Sequence, residues 1–264
     1  MQSYPPEIDQ IAADAGLGKV VDRYRPSVAI EMSFVVTLAC LGLAGLLIGD
    51  DLGKIIGAVA SGLALLISLP TWLQARRKLY LCSDGLLTTT GKSTVRTLFT
   101  WEDVAHIRVW TTRLYQSPPD DLGRCVLVLK DGTKLNLARP PYAGGDQLIA
   151  SVEEQMVATS HPRRSAEITA TGASTFGPIT VTTEGVRDGD RFASWSDITG
   201  VERGRVRLRI WTGAGRPAIS RQVRTIPDVT VLVDLVSDGA ERYRRRKGDA
   251  HGSRPPDQHL LGPL

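Results

Sequence analysis

Two regimes of hydrophobic patterning divide the chain. Residues 28–48, VAIEMSFVVTLACLGLAGLLI, and residues 55–72, IIGAVASGLALLISLPTW, are nearly continuous apolar runs separated by GDDLGK. A bilayer core takes about 20 apolar residues per helix, with a range of about 17–25. Both runs meet that length, and the short polar turn predicts a helical hairpin over residues 28–73. Small residues recur along both spans, Ala39, Gly42 and Gly45 in the first and Gly57, Ala60, Ser61 and Ala64 in the second. They let helix backbones approach closely, either within the hairpin or between two copies of it. Pro70 predicts a kink or a helix end. Glu31 sits near the start of the first run, within reach of an interface. No ionisable residue lies mid-span, which argues against a transport pathway through the hairpin.

Past the hairpin the period switches to two. KLYLCS, GLLTTTG, TVRTLFT and VAHIRVW read as strands, and CVLVLKDGTKLNLA as a hairpin around Asp131-Gly132. In DQLIASVEEQMVA, Leu148, Ile149, Val152, Met156 and Val157 share a helical face, with Asp146 as N-cap. Residues 78–158 thus predict about six short strands and a closing helix.

The pattern then repeats. ITVTTEGV (179–186) parallels LYLCSDGL (79–86), and SWSDITGV (194–201) parallels TWEDVAHI (100–107). RVRLRIW reads as a long strand. From Pro227, which suits a first helical turn, Val229, Leu232, Val233 and Val236 share a face. A strand with an acid–Gly turn, a Trp-x-Asp phrase, a long strand and a closing helix, all occurring twice, mark a duplication. The phrase itself predicts structure: Trp101 and Trp195 bury rings, Asp103 and Asp197 accept backbone amides at a bend, and Val104, Ile107, Ile198 and Val201 point inward. The strands after Trp211 are poorly defined.

These stretches, GLGKVVDRYRPS before the spans and YLCSDGL, TWEDVAHIRV, LVLKDGTKLNL and LIASVEEQM after them, carry a resemblance. The chain resembles bacterial pleckstrin-homology-like (bPH) membrane proteins, and in particular an uncharacterised actinobacterial family with two transmembrane spans. The resemblance covers the chain to about residue 238. It implies an α+β fold in which the transmembrane hairpin is followed by two PH-like, partly open β-barrel domains, each closed by a C-terminal helix. It carries no activity over to any residue. The expected organisation is an N-terminal cytoplasmic segment (1–27), the hairpin (28–73), a first domain (76–160), a linker TSHPRRSA (159–166), a second domain (166–240) and a tail, basic and then disordered (241–264). PPEIDQIAADAGLG predicts a short helix ending at Gly16 or Gly18.

Charge matters here by position. The chain has 32 Lys and Arg against 28 Asp and Glu, a net charge of +4. Arg23 and Arg25 precede the spans and Arg76, Arg77 and Lys78 follow them, whereas the intervening turn holds Asp50, Asp51 and Lys54. Basic flanks stay cytoplasmic, so both termini are expected inside a bacterial plasma membrane, with Tyr24 and Trp72 at the interface. The polar residues before the first run and the second span directly after it do not fit a cleavable signal.

Candidate chemistry is sparse. Cys40, Cys82 and Cys125 have no metal or disulfide spacing. His106 reads as structural, His161 falls in the linker, and His251 and His259 fall in the tail. No GxSxG, HExxH or phosphate-loop pattern is present; GLGKVV lacks the spacing and the preceding strand. Arg203, Arg205, Arg207 and Arg209 alternate, which on one strand sets them on one face opposite Val206, Leu208 and Ile210. They either pair with carboxylates of a neighbouring strand or form an anion- or lipid-binding surface. ERYRRRK, with Arg244, Arg245, Arg246 and Lys247, is a second basic cluster, and near an anionic leaflet each such charge contributes about 1 kcal/mol. The expectation is a membrane-anchored, cytoplasm-facing binding or scaffold protein without catalysis, cofactor, metal or nucleic-acid partner. Anionic lipid, a protein or a second copy would be its partner. The alternatives are a hydrolase with a carboxylate site between the two domains, and a structural subunit of a membrane complex.

Overall fold

The computed structural model describes residues 6–91, 94–114, 120–137, 142–213 and 215–252. The expected disordered end, with His259, lies outside the described residues from 253 onward. The chain forms two compact units, residues 1–107 with 111–155, and residues 108–110 with 156–264.

The first unit begins earlier than its sequence pattern suggests. Helix α1 (Pro6–Asp14) ends where Gly16 takes a φ of +69°, a left-handed conformation that glycine adopts freely. Strand β1 (Val20–Tyr24) then pairs antiparallel with β2 (Arg77–Cys82), Tyr24 opposite Leu79. The segment before the spans is therefore part of a sheet and not a separate tail. Its VVDRY alternation is short and carries charges, so it reads weakly as a strand. Strands β3 (Gly85–Thr90) and β4 (Thr94–Thr100) complete a four-stranded antiparallel meander in the order β1-β2-β3-β4. A second meander follows: β5 (Val104–Leu114), β6 (Asp120–Leu129) and β7 (Lys134–Asn136). Its β6–β7 turn is the one expected at Asp131-Gly132. Gly132 takes a φ of +86°, and Asp131 Oδ1 accepts the Thr133 amide at 2.8 Å. Ile8, Ala12 and Leu17 bury against Tyr80, Cys82 and Leu87.

The two apolar runs form α2 (Ala29–Ile48) and α3 (Asp51–Ala75), an antiparallel pair inserted between β1 and β2. At about 1.5 Å per residue, 20 residues reach about 30 Å. Asp50 caps α3, its Oδ1 accepting from Gly53 N at 2.8 Å. The small residues serve packing inside the hairpin. A β-carbon on Gly45 would lie 2.9 Å from Gly57 Cα, and one on Gly57 would lie 2.7 Å from the Gly42 carbonyl oxygen. Pro70 does not end the helix, which runs on to Ala75. Both helices are long and apolar enough to cross a membrane, and only 11% and 17% of their spans are buried. Phe34, Leu47, Leu65 and Leu66 are among the side chains left exposed.

Helix α4 (Gly145–Thr171) is continuous through the expected linker at 159–166. Pro162 removes one backbone donor and disfavours the preceding turn. Packing outweighs that cost: Val157 and Ile168 lie against the second unit's core, and Ser160 is buried. One helix thus closes the first unit's strand series and leads into the second's.

The second unit repeats the strand series. Strands β8 (Ala173–Phe176), β9 (Ile179–Thr182), β10 (Gly185–Asp188) and β11 (Arg191–Ser194) form a four-stranded antiparallel meander. Strands β12 (Gly200–Arg203), β13 (Arg207–Trp211) and β14 (Ile219–Gln222) form a three-stranded one, so the region after Trp211 holds a defined strand. Helix α5 (Val229–Gly252) closes the unit, burying Val229, Leu232, Leu235 and Val236 against Phe176, Ile179, Leu208 and Ile210. It also carries the 241–247 cluster, which is helical and exposed, not a separate tail. The architecture is α+β, with several antiparallel sheets, none closed into a barrel.

Candidate functional site

The duplicated phrases occupy equivalent places in the two units. Trp101 Nε1 donates to the Ser83 carbonyl at 3.0 Å, and Trp195 Nε1 donates to the Thr183 carbonyl at 3.0 Å. The backbone agrees, Trp101 N bonding Asp84 O and Trp195 N bonding Glu184 O. Each tryptophan thus pins the acid–Gly turn that precedes it. The separation is 18 residues in the first copy and 12 in the second, because β10 and β11 are shorter than β3 and β4. Gly85 and Gly185 are needed at the turn: a β-carbon on either would meet the opposite strand's backbone, at Phe99 O and Ala193 O.

The aspartates diverge. Asp103 Oδ2 accepts from Thr100 N at 3.0 Å and Thr100 Oγ1 at 2.8 Å, a capping box on the turn Trp101–Asp103. Those two bonds, backbone first, hold its carboxyl below the usual range. Asp197 instead accepts from the Ser196 hydroxyl at 2.9 Å, and Ser194 Oγ takes the Ser196 amide at 3.3 Å. Backbone anchoring by the aspartate therefore holds in the first copy only. Val104, Ile107 and Ile198 are buried as expected, and Val201 is half-buried.

The arginine stripe does not lie on one strand. Arg203 ends β12 and Arg207 begins β13, with Arg205 in the turn between them. Antiparallel register sets Arg203 opposite buried Leu208, and Arg203 Nη1 reaches Thr230 Oγ1 at 2.6 Å. Arg209 lies opposite Glu202 and pairs with it at 3.3 Å, while Arg207 Nε donates to Ser220 Oγ at 3.0 Å. The period of two was right for β13 alone; Gly204 breaks the strand, and the chain's own groups meet these cations. Val206 is exposed and does not share a face with buried Leu208 and Ile210.

Elsewhere the expected basic residues are exposed, with Lys78 the exception. Arg76 and Arg77 lie at the foot of the hairpin, where the Arg76 guanidinium sits 3.4 Å over the Trp72 ring, and Lys78 is half-buried in β2. Arg244, Arg245, Arg246 and Lys247 are exposed on α5, with Arg245 paired to Glu241 at 2.7 Å.

Beside these arginines the second unit holds features that the sequence did not single out. A cavity of about 240 Å³ lies among the distal half of α4, the β9–β10 turn and α5. A second, of about 230 Å³, is bordered by His161 and Asp238, whose Nε2 and Oδ2 are 3.2 Å apart. Burial pushes the nearby Asp234 carboxyl up; His161 opposes that shift and Asp238 adds to it. Arg164 reaches buried Asp228 at 3.5 Å and Glu167 at 3.0 Å. Asp188, also buried, accepts Arg221 Nε through both oxygens, at 2.9 and 2.8 Å. Arg164 and Glu167 stand at i,i+3 on α4, whereas Arg164 with Asp228 and Asp188 with Arg221 lie too far apart in sequence to be matched by spacing.

No group of three or more His, Cys, Asp or Glu suited to a metal occurs among the described residues. Cys82 and Cys125 are buried, and burial, with Asp9 and Asp84, pushes the Cys82 thiol up to about 11. Cys40 is exposed on α2. The model of a family of unknown function, DUF6585, matches residues 1–245. Neither a curated protein nor a solved structure matches the chain.

Proposed function

The chain belongs to this family of unknown function, and we propose that within it the chain acts as a membrane-anchored binding or scaffold module. In this reading α2 and α3 cross the bilayer as a hairpin, and the two units are PH-like domains on the cytoplasmic side of a bacterial plasma membrane. The observation that carries it is the insertion of the hairpin between two hydrogen-bonded neighbours, β1 and β2. A spanning hairpin that leaves one sheet and returns to it must hold its two feet on one side. Those feet carry Arg23, Arg25, Arg76, Arg77 and Lys78, while the far turn carries Asp50 and Asp51, the asymmetry of a cytoplasmic foot.

Three details support an apolar surrounding for the hairpin. Three of its hydroxyls bond within their own helix, Thr37 to Ser33 O at 2.9 Å, Ser68 to Leu65 O at 2.9 Å and Thr71 to Ile67 O at 2.8 Å. Its exposed side chains include Phe34, Val36, Leu41, Leu47, Ile55 and Leu65. Trp72 with Arg76 stacked on it gives an aromatic anchor at the interface. The PH-like reading rests on the order of four strands, three strands and a closing helix, found twice, together with the resemblance of the turn and Trp-x-Asp phrases. The partners are an anionic lipid surface, a protein or a second copy, and the exposed basic end of α5 is the face offered to an anionic one.

Cysteine labelling in intact cells tests the topology, with Cys40 replaced by Ala. An impermeant maleimide should modify Leu52→Cys at the hairpin turn and leave Lys92→Cys unlabelled until the cells are opened. Labelling of Lys92→Cys in intact cells, with Leu52→Cys protected, would invert the orientation and remove the cytoplasmic reading.

A further inference from the structure

The two copies differ at the acid–Gly turn, and the difference leaves the second with an opening. In the first unit the chain's own N-terminal stretch covers the turn. Leu17 O accepts the Asp84 amide at 3.0 Å, Lys19 O accepts the Ser83 amide at 3.0 Å, and fully buried Leu17 lies against Gly85. In the second unit Gly172 O accepts the Thr183 amide at 3.2 Å, taking the place of Lys19. Nothing there corresponds to Leu17, because α4 runs directly into β8. The Thr182 hydroxyl takes the amides of Glu184 and Gly185 instead, at 3.3 and 3.2 Å. The cavity of about 240 Å³ opens beside this turn.

We propose that this cavity of the second unit binds a phosphate monoester. This deepens the binding-module reading and rests on it. Ser165, Thr169, Thr183, Arg242 and Arg246 border the cavity, with the Thr169 hydroxyl donating to the Ser165 carbonyl at 3.0 Å, and among the described residues no carboxylate lines it. Arg242 is held in place by Nε donating to the Asp238 carbonyl at 3.3 Å. The second cavity shares Ser165 and Arg242 with it, and the two carboxylates bordering that one are engaged, Glu241 with Arg245 at 2.7 Å and Asp238 beside His161 at 3.2 Å. Two guanidiniums with the Ser165 and Thr183 side chains, and no carboxylate among the described lining residues, suit a compact dianion, and guanidinium geometry matches phosphate oxygens.

The remaining wall selects an ester over the free ion. Trp195 offers an aromatic flank, held by its bond to Thr183 and by contact with Gly239, where a β-carbon would stand 2.7 Å from the ring. Ile168 and Val181 contribute apolar surface. The volume falls below the range of about 300–1,000 Å³ typical of drug-sized ligands, so it accommodates one phosphorylated head and not an acyl chain. A soluble phosphate monoester and the head of a phosphomonoester lipid share this chemistry.

The test is calorimetric titration of the full chain in phosphatidylcholine nanodiscs with phenyl phosphate, inorganic phosphate and benzenesulfonate. Phenyl phosphate should bind more tightly than inorganic phosphate, and benzenesulfonate should bind weakest. The double variant Arg242→Gln, Arg246→Gln should lose at least about tenfold in phenyl phosphate affinity, as removal of charge-assisted bonds requires. Ser165→Leu, which fills the cavity and keeps both charges, should lose binding as well. Both arginines are exposed, so hydrogen exchange in the second unit should stay as in the wild type and certify the fold. Doping the discs with phosphatidic acid separates the sources: competition with phenyl phosphate means that the lipid head reaches the cavity, and undiminished binding assigns it to a soluble ester. A wild-type chain that binds neither phenyl phosphate nor phosphatidic acid, or a Ser165→Leu chain that binds phenyl phosphate unchanged, overturns the proposal. Either result, with the hairpin still protected in the disc, would leave the anchored-module reading in place. A chain that does not insert would sink that reading while the titration still reports on the cavity.

Discussion

The first and second units fold the same strand series around the same tryptophan-pinned turn, yet they finish that turn differently. In the first, Cys82 precedes the turn and offers it no hydroxyl, so the Asp84 amide is met by Leu17 from the N-terminal stretch. In the second, Thr182 stands at the corresponding place and satisfies two amides itself. Each copy meets these turn amides within the chain, and each does so differently. The external solution brings a leucine with it and closes the surface. The internal one needs no covering segment and leaves a cavity lined by hydroxyls and arginines. Duplication gave two scaffolds, and the copy that carries the hairpin is sealed while the other is open.

The largest separation between the copies should come from the tryptophans. Trp101 is buried and meets Phe99 edge-on at a centroid distance of 6.4 Å, whereas Trp195 is half-buried at the cavity rim. Trp101→Ala should cost the first unit about 3–5 kcal/mol, and Trp195→Ala should cost the second less, since its side chain is only partly buried. Hydrogen exchange followed by peptide mass analysis reads each unit's opening separately in the full chain. Equal losses would mean that the two turns are equally packed and that the cavity does not matter to stability.

The distribution of legible and illegible features follows from range. The spans, the β6–β7 turn, the tryptophan turns and both closing helices were legible because each is written in a short stretch, by run length, period or turn chemistry. β1 was not, since five residues with two charges gain their strand character only by pairing with β2 across the whole hairpin. The continuity of α4 was hidden by Pro162, whose local penalty is outweighed by burial of Val157 and Ile168 in a core assembled from later sequence. The arginine stripe failed through one residue, Gly204, which turns a period of two into a hairpin and sends Arg203 to the other face. The cavity was invisible because its walls come from α4, the β9–β10 turn, Trp195 and α5, stretches far apart in the sequence.

Leu17 offers the next contrast. Leu17→Ala should open in the first unit a void like the native one in the second, at about 2–5 kcal/mol, with increased exchange of the Ser83 and Asp84 amides. Ser165→Leu in the second unit should leave its exchange within about 0.5 kcal/mol of wild type, as a surface-lining change does. If Leu17→Ala is silent, the N-terminal stretch does not seal the turn.

The turn glycines test the likeness of the copies and not their difference. Gly85→Ala and Gly185→Ala each drive a β-carbon into an opposing strand, and overpacking of this kind costs about 1–3 kcal/mol. Gly85→Ala also strikes Leu17, so the first unit should lose more. The reverse order would place the tighter turn in the second copy.

The smallest effect is electrostatic and belongs to one copy. Asp103 has its carboxyl lowered by the amide and hydroxyl of Thr100. A group depressed in the folded state stabilises above its ordinary pKa of about 3.9, and the contribution disappears as pH falls through the folded value. The first unit's protection should therefore weaken below about pH 4, by at most about 0.5–1 kcal/mol, because the side chain is exposed and water screens it. Asp103→Asn keeps the shape and removes the titration, so it should be less stable at neutral pH and flat in that acid window. Asp197 accepts the Ser196 hydroxyl, a bond within its own turn that anchors no amide, so Asp197→Asn should cost the second unit less at neutral pH than Asp103→Asn costs the first. Equal losses of protection at neutral pH would mean that the two aspartates serve their turns alike, and that the copies part only at Leu17 and the cavity.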